Sequence, residues 1–225
     1  MAEIYLLPLV TPLPEARYRA LLSCVSAARR KRVEAFRFEA DRARCLLGAV
    51  LVRHLAGRAG LSRGEALTFT CNHYGKPYFT DRHRYFNLSH SGDWIVCGWS
   101  SREIGVDVQH MAPTAPDVDR LVFHEVERAA LRAARGDEAR RVLFYDYWTL
   151  KEAYVKYLGT GLSTPLRSLC FHLPPGGGAH CEGLGDTPRF FRRDVDPAHK
   201  LAVCTEDDGV DFCSLTIEQL SDGDG

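Results

Sequence analysis

The chain has 225 residues, 45% hydrophobic and 26% charged, and its 29 basic and 29 acidic side chains cancel to zero formal net charge. That length holds one large domain or two small ones with a real core, and zero net charge excludes bulk electrostatic binding of nucleic acid. No apolar stretch approaches the roughly 20 residues needed to cross a bilayer, and MAEIYLLPLV has no basic segment ahead of its apolar run, so the expectation is a cytoplasmic protein with no secretory signal.

In chain order, residues 3–10 read as a strand closed by Pro12 and Pro14. Residues 39–61 carry Ala43, Leu46, Leu47, Val50, Leu51 and Leu55 at helical spacing, ended by Gly57 and Gly60. Strands are predicted at 66–70, 84–90, 94–100 and 103–109, joined by short polar turns as an antiparallel meander. A Pro-rich connector at 112–117 leads into helical pattern over 117–135. A second long helix runs from 136–137 to Leu158, stopped by Gly159 and Gly161. Strand-like runs return at 168–172, 188–193, 199–204 and 212–217. A long helix followed by strands thus occurs twice, and VRHL (52–55) and VKYL (155–158) end the two helices alike. The eight cysteines show no CxxC pair and no metal-like spacing, and reduced thiols are expected.

Three stretches carry chemistry. In GVDVQ (105–109), strand alternation sends Val106 and Val108 to one face and Asp107 and Gln109 to the other. Aspartate is unfavourable inside a strand, so Asp107 needs a hydrogen-bonding partner or an ion. A carboxylate capping a nearby loop meets that need equally. In WTLKEAYVKYLGTGL (148–162), Trp148, Glu152 and Lys156 share one helix face. An exposed Glu–Lys pair is the plain alternative. Yet a chain with 24 Arg and only five Lys places two of those lysines, Lys151 and Lys156, beside Glu152. In FNLSHSGDWIVCGWS (86–100), Ser89, His90 and Ser91 offer hydroxyls and an imidazole to an anion. An Arg-rich run at 28–44 is either a local anion patch or a solvated helix face. Two carboxylates without a Cys or His partner suit a hard cation such as Mg2+ on a phosphate-bearing substrate. Neither a Walker A pattern nor GxGxxG is present.

IGVDVQ (104–109) and WTLKEAYVKYLGTGL together resemble the two signature motifs of 4′-phosphopantetheinyl transferases of the Sfp type. FNLSHSGDW, YGKP (74–77) and the RRKR…LLGAVLVR pattern (29–53) fit the same family. The resemblance implies an α+β fold of two pseudo-symmetric halves, 1–110 and 111–225, each a long helix on a small, mainly antiparallel sheet, with coenzyme A in the cleft between them. It implies Mg2+-dependent transfer of 4′-phosphopantetheine from coenzyme A to a serine of an acyl or peptidyl carrier protein. Asp107, Gln109 and Glu152 would hold the metal, and Glu152 and Lys156 would be catalytic. Arg29, Arg32, Ser89 and His90 would receive the 3′-phosphate, and Gly75, Lys76 and Pro77 would line the adenine. Gln109 departs from the family, which has an acid there, and Cys45 stands where a hydroxyl residue is frequent. A monomer is implied, with neither nucleic acid nor membrane as partner. The carrier would meet the connector at 111–135, where Leu121, Val122 and Phe123 are either its contact or simply core. A silent coenzyme A or carrier-binding module is the other reading that Gln109 leaves open.

Overall fold

A computed structural model describes residues 1–61, 67–80, 83–113, 118–174 and 178–220. The elements are β1 (Ala2–Pro8), α1 (Glu15–Ser23), α2 (Ala27–Glu34), α3 (Glu39–Arg58), β2 (Phe69–Cys71), β3 (Pro77–Phe79), β4 (Tyr85–Ser91), β5 (Trp94–Ser100) and β6 (Ile104–His110). They continue with α4 (Asp119–Val122), α5 (Glu125–Ala133), α6 (Asp137–Leu158), β7 (Phe171–His172), β8 (Gly178–Cys181), β9 (Arg189–Asp196), β10 (His199–Thr205) and β11 (Val210–Ser214). The fold is α+β, with helices packed on small sheets whose pairings are antiparallel except β1 with β11.

One sheet has the order β11-β1-β5-β4, the other β6-β10-β9-β8-β7, and β2-β3 is a separate ribbon. Alternation along the strands builds the layers. In β1, Tyr5 and Leu7 face α3 and its core, while Ile4 and Leu6 face the second sheet. In β10, Leu201 and Val203 meet that same inter-sheet core, while Ala202 and Cys204 face the aromatic cluster beneath α6. The order of layers is therefore helix, sheet, sheet, helix.

Two expectations change. Strand β6 is not the next strand of a meander: it leaves β5 and pairs with β10, from Ile104↔Thr205 to His110↔His199. The predicted helix over 117–135 is two helices, α4 and α5, with the His124 imidazole capping α5 and Glu127 closing a capping box on the His124 amide. The expected strand start at 66 and the connector residues 114–117 lie outside the described residues. Late in the chain, β11 returns to pair in parallel with β1, so the first sheet takes its edge strand from the end of the sequence and the second takes β6 from its middle.

Two close approaches position α6. Gly105 lies directly under the helix: a methyl group there would overlap the Ala153 carbonyl oxygen and the Tyr157 amide nitrogen. Just beyond that contact Gly159 takes the left-handed conformation (φ 67°) that stops α6. Its carbonyl accepts from Asn72 Nδ2 at 2.7 Å.

Candidate active site

Strand β6 lies on the edge of its sheet, so alternate amides point away from β10 with no strand to receive them. Side chains of β4 take that place. Val106 N–H donates to Asn87 Oδ1 (3.0 Å), Val108 N–H to Ser89 Oγ (3.1 Å) and His110 N–H to Ser91 Oγ (2.9 Å). Three polar residues at i, i+2 and i+4 thus join the two sheets side chain to backbone, each bond contributing about 1 kcal/mol net. The same alternation that buries Val106 and Val108 between the sheets turns Gly105 and Asp107 toward α6.

Asp107 is 1% exposed and fully engaged. Lys156 Nζ donates to its Oδ1 at 2.6 Å, Ser89 Oγ donates to the same oxygen at 3.0 Å, and Gln109 Nε2 donates to Oδ2 at 3.1 Å. Lys156 also donates to Ser89 Oγ at 2.9 Å. The Ser89 hydroxyl therefore gives its proton to Asp107 and accepts from Lys156 and from Val108, which uses its one donor and two acceptor sites. It has nothing left for a nucleophilic role, and a ligand reaching it must replace one of these bonds.

Glu152, one turn before Lys156, is half-buried and lines the adjoining cavity. Among the described residues its carboxylate makes no hydrogen bond or ion pair. Burial, and then the negative charge of Asp107, raise its pKa, against the pull of Lys156. A carboxylate with no partner among the described residues, close enough to a buried one to feel its charge, offers with it oxygen donors of the kind a hard divalent cation takes, and the Gln109 amide lies against Asp107. The residues present fit Mg2+.

The cavity is about 560 Å³ and is lined by Tyr74, Gly75, Lys76, Pro77, Asn87, Leu121, Glu152, Lys156 and the turn after α6. The 74–77 segment arrives there because Asn72 folds it onto the end of α6. Asn72 Oδ1 accepts from the amides of Tyr74 (3.0 Å) and Lys76 (2.9 Å). The Lys76 stem lines the cavity, but its ammonium turns inward, to Glu103, Ile104 O (3.1 Å) and Tyr157 O (2.9 Å). Burial holds its pKa down. His90 is exposed and, like Ser89, is not among the residues lining the cavity; its pKa is lowered by desolvation and then by the charges of Arg44 and Lys156. Arg29 reaches Cys45 Sγ at 3.9 Å and Arg32 is exposed; neither is among the residues lining the cavity.

Sequence reasoning passed over Asn87, although its alternation with Ser89 and Ser91 was a readable signal. It also gave Arg44 no particular role. Arg44 donates to Gly92 O in the β4–β5 turn (3.1 Å) and pairs with Asp41, a registry between α3 and a distant turn that no local pattern encodes. Of the connector residues, Val122 and Phe123 are core, while Leu121 is 77% exposed at the cavity mouth.

Lys151 has a different task from Lys156. It is 0% exposed, pairs with the equally buried Glu127 at 2.8 Å, and donates to Leu166 O (2.9 Å) and Leu169 O (2.5 Å). Glu127 also accepts from the Phe171 amide at 2.8 Å. This pair ties α5 and the segment leading into β7 to the hidden face of α6.

Residues 103–204 match the 4′-phosphopantetheinyl transferase superfamily, and residues 11–101 match the 4′-phosphopantetheinyl transferase N-terminal family. A 4′-phosphopantetheinyl transferase of Bacillus subtilis is 36% identical over 227 residues, covering 97% of this chain and 99% of that one. The 4′-phosphopantetheinyl transferase Sfp of Bacillus subtilis strain 168 is 33% identical over 224 residues with the same coverage. The 4′-phosphopantetheinyl transferase HetI of a Nostoc species is 31% identical over 169 residues, covering 72% of this chain and 70% of that one. The chain belongs to the 4′-phosphopantetheinyl transferase family. No helix among the described residues is long and apolar enough to cross a membrane.

Replacing Lys151 with Met strands the Glu127 charge in a dry site. The variant is expected to lose about 3–5 kcal/mol of stability, read from urea unfolding. A loss below about 1 kcal/mol would show that the pair does not anchor the fold.

Proposed function

We propose that the protein is a 4′-phosphopantetheinyl transferase of the Sfp type, moving the phosphopantetheine arm of coenzyme A onto a serine hydroxyl of an acyl or peptidyl carrier protein and releasing adenosine 3′,5′-bisphosphate. The observation that carries this reading is the meeting of Asp107 from β6 with Glu152 and Lys156 from α6 at the edge of a cavity that Gly75, Lys76 and Pro77 line. Relatives that match over nearly the whole chain and bear that activity in their names support it.

Coenzyme A would lie between the halves 1–110 and 111–225, the first lending β6 to the second sheet and the second returning β11 to the first. Asp107 and Glu152 would hold Mg2+ with the Gln109 carbonyl oxygen or a water completing the set, and the bound ion would neutralise the pyrophosphate. Lys156, whose ammonium now balances Asp107, would turn to phosphate oxygens and stabilise the charge of the leaving bisphosphate. Glu152, directly or through a water, would accept the serine proton as the serine oxygen bonds to phosphorus and the pyrophosphate P–O bond breaks. Ser89 and His90 would receive the 3′-phosphate together with Arg29, Arg32 and Arg44, the arginines supplying the positive charge. Gly75, Lys76 and Pro77 would bound the adenine through backbone and stem. Exposed Leu121 and Tyr74 at the cavity mouth offer the carrier an apolar contact.

Incubation with coenzyme A, Mg2+ and a panel of apo carrier proteins, followed by intact-mass measurement, tests the reading. A carrier should gain the phosphopantetheine mass, and Glu152→Ala should abolish that gain. No modified carrier, with coenzyme A still bound, would leave the silent binding module as the correct account. Gln109→Glu adds one negative charge beside Asp107 and is expected to raise apparent Mg2+ affinity about ten-fold, by calorimetric titration with coenzyme A present. Unchanged affinity would remove Gln109 from the metal's surroundings.

A further inference from the structure

The hairpin of β7 and β8 holds metal-ligating side chains that take no part in the Asp107–Glu152 centre. Its ladder is short, with Phe171 opposite Cys181 and His172 opposite His180, extended by one bond from Glu182 N–H to Cys170 O at 2.8 Å. Alternation puts Phe171 and Cys181 into the aromatic core under α6. It gathers Cys170, His172, His180 and Glu182 on the opposite face.

Three of these converge. Cys170 Sγ lies 3.7 Å from His172 Nε2, which lies 3.5 Å from Glu182 Oε2, and one donor atom from each of the three falls within 4.8 Å of the others. Tetrahedral zinc, with Zn–S of about 2.3 Å and Zn–N or Zn–O of about 2.0–2.1 Å, places sulfur and nitrogen about 3.6 Å apart and nitrogen and oxygen about 3.4 Å apart. The sulfur–nitrogen and nitrogen–oxygen separations match that geometry, and closing the sulfur–oxygen pair needs only a rotation of the exposed Glu182 side chain. The donors are also graded from a buried thiol through a half-buried imidazole to an exposed carboxylate, which leaves an entry path from solvent. His180 stacks on His172, ring centroids 4.9 Å apart and planes 17° apart, and fixes that imidazole over the hairpin.

We propose that Cys170, His172 and Glu182 form a binding site for a borderline-soft divalent cation, Zn2+ above all, that cross-links β7 to β8. One sulfur, one nitrogen and one oxygen donor select zinc over magnesium, so the site is chemically distinct from the all-oxygen centre at Asp107 and Glu152. The cation bridges a ladder of two residue pairs that has few backbone bonds of its own. It does so next to the Leu166 and Leu169 carbonyls that hold Lys151. Cysteine spacing gives no hint of this, because the ligands alternate along one strand and cross to its neighbour.

Cobalt titration of the full-length protein in excess Mg2+ tests the proposal. Cobalt should give the near-ultraviolet thiolate charge-transfer absorption and the intense visible bands of a four-coordinate ion, both displaced by one equivalent of Zn2+. The thiolate absorption should vanish in Cys170→Ser and persist in Cys71→Ser, whose thiol is exposed elsewhere. Glu182→Ala, at an exposed position, should fold normally and lose at least about ten-fold in Zn2+ affinity. Zn2+ should raise the thermal midpoint of the wild type but not of His172→Ala. Absence of thiolate absorption in the wild type, or its persistence in His172→Ala, would overturn the site.

Discussion

Strand β6 ends its sheet, and the way its outward amides are satisfied governs the rest of the molecule. A buried edge strand normally acquires another strand or costs about 1–3 kcal/mol for each unmet N–H. Here β4 approaches with side chains in place of backbone, through Asn87, Ser89 and Ser91. The sheets can then sit face to face over Ile4, Leu6, Val106 and Val203, while their edges are stitched by polar groups. Those same groups reach the reactive carboxylate, since Ser89 bonds both the Val108 amide and Asp107. Gly105 supplies the other half of the constraint. Without a side chain there, α6 drops against β6 far enough for Lys156 to touch Asp107 and for Glu152 to feel its charge.

Four of the five lysines occupy buried or half-buried positions. Lys76, Lys151 and Lys200 are all buried, and Lys156 is half-buried against Asp107. Lys76 reaches Glu103 and two backbone carbonyls; Lys151 reaches Glu127 and two more. Lys200 bridges Asp194 and Asp146. Three donors radiating from one point fit such cages, whereas a guanidinium, whose donors all lie in one plane, does not. Four of the five lysines thus place their ammonium groups where several elements converge, while Lys31 is exposed on α2.

Both long helices, the hairpin of β4 and β5 and most later strands were legible locally, because α3, α6 and the strands carry their period in their own apolar residues. Helices α1 and α2 were not: EARYRALLS and AARRKRVE bury only Leu21 and Val33, too little for a periodic signal. Partner choice was also hidden. Nothing in IGVDVQH says that it abandons β5 for β10, and nothing in VDFCS says that it returns to β1 in parallel. Such pairings are settled by which apolar faces meet across the whole chain. The motif residues Asp107, Glu152 and Lys156 were visible because their chemistry is unusual for their elements. Arg44 was not, because an arginine on an arginine-rich helix is unremarkable until the fold places it beside His90.

Amide hydrogen exchange at Val108 is the most direct measure of the seam that organises this site. An outward amide on an edge strand would ordinarily exchange quickly, so slow exchange at Val106, Val108 and His110 is expected in the wild type. In Ser89→Ala the Val108 amide should become fast while Val106 and His110 stay protected by Asn87 and Ser91. Rapid exchange at all three in the wild type, or unchanged protection of Val108 in the variant, would contradict the account.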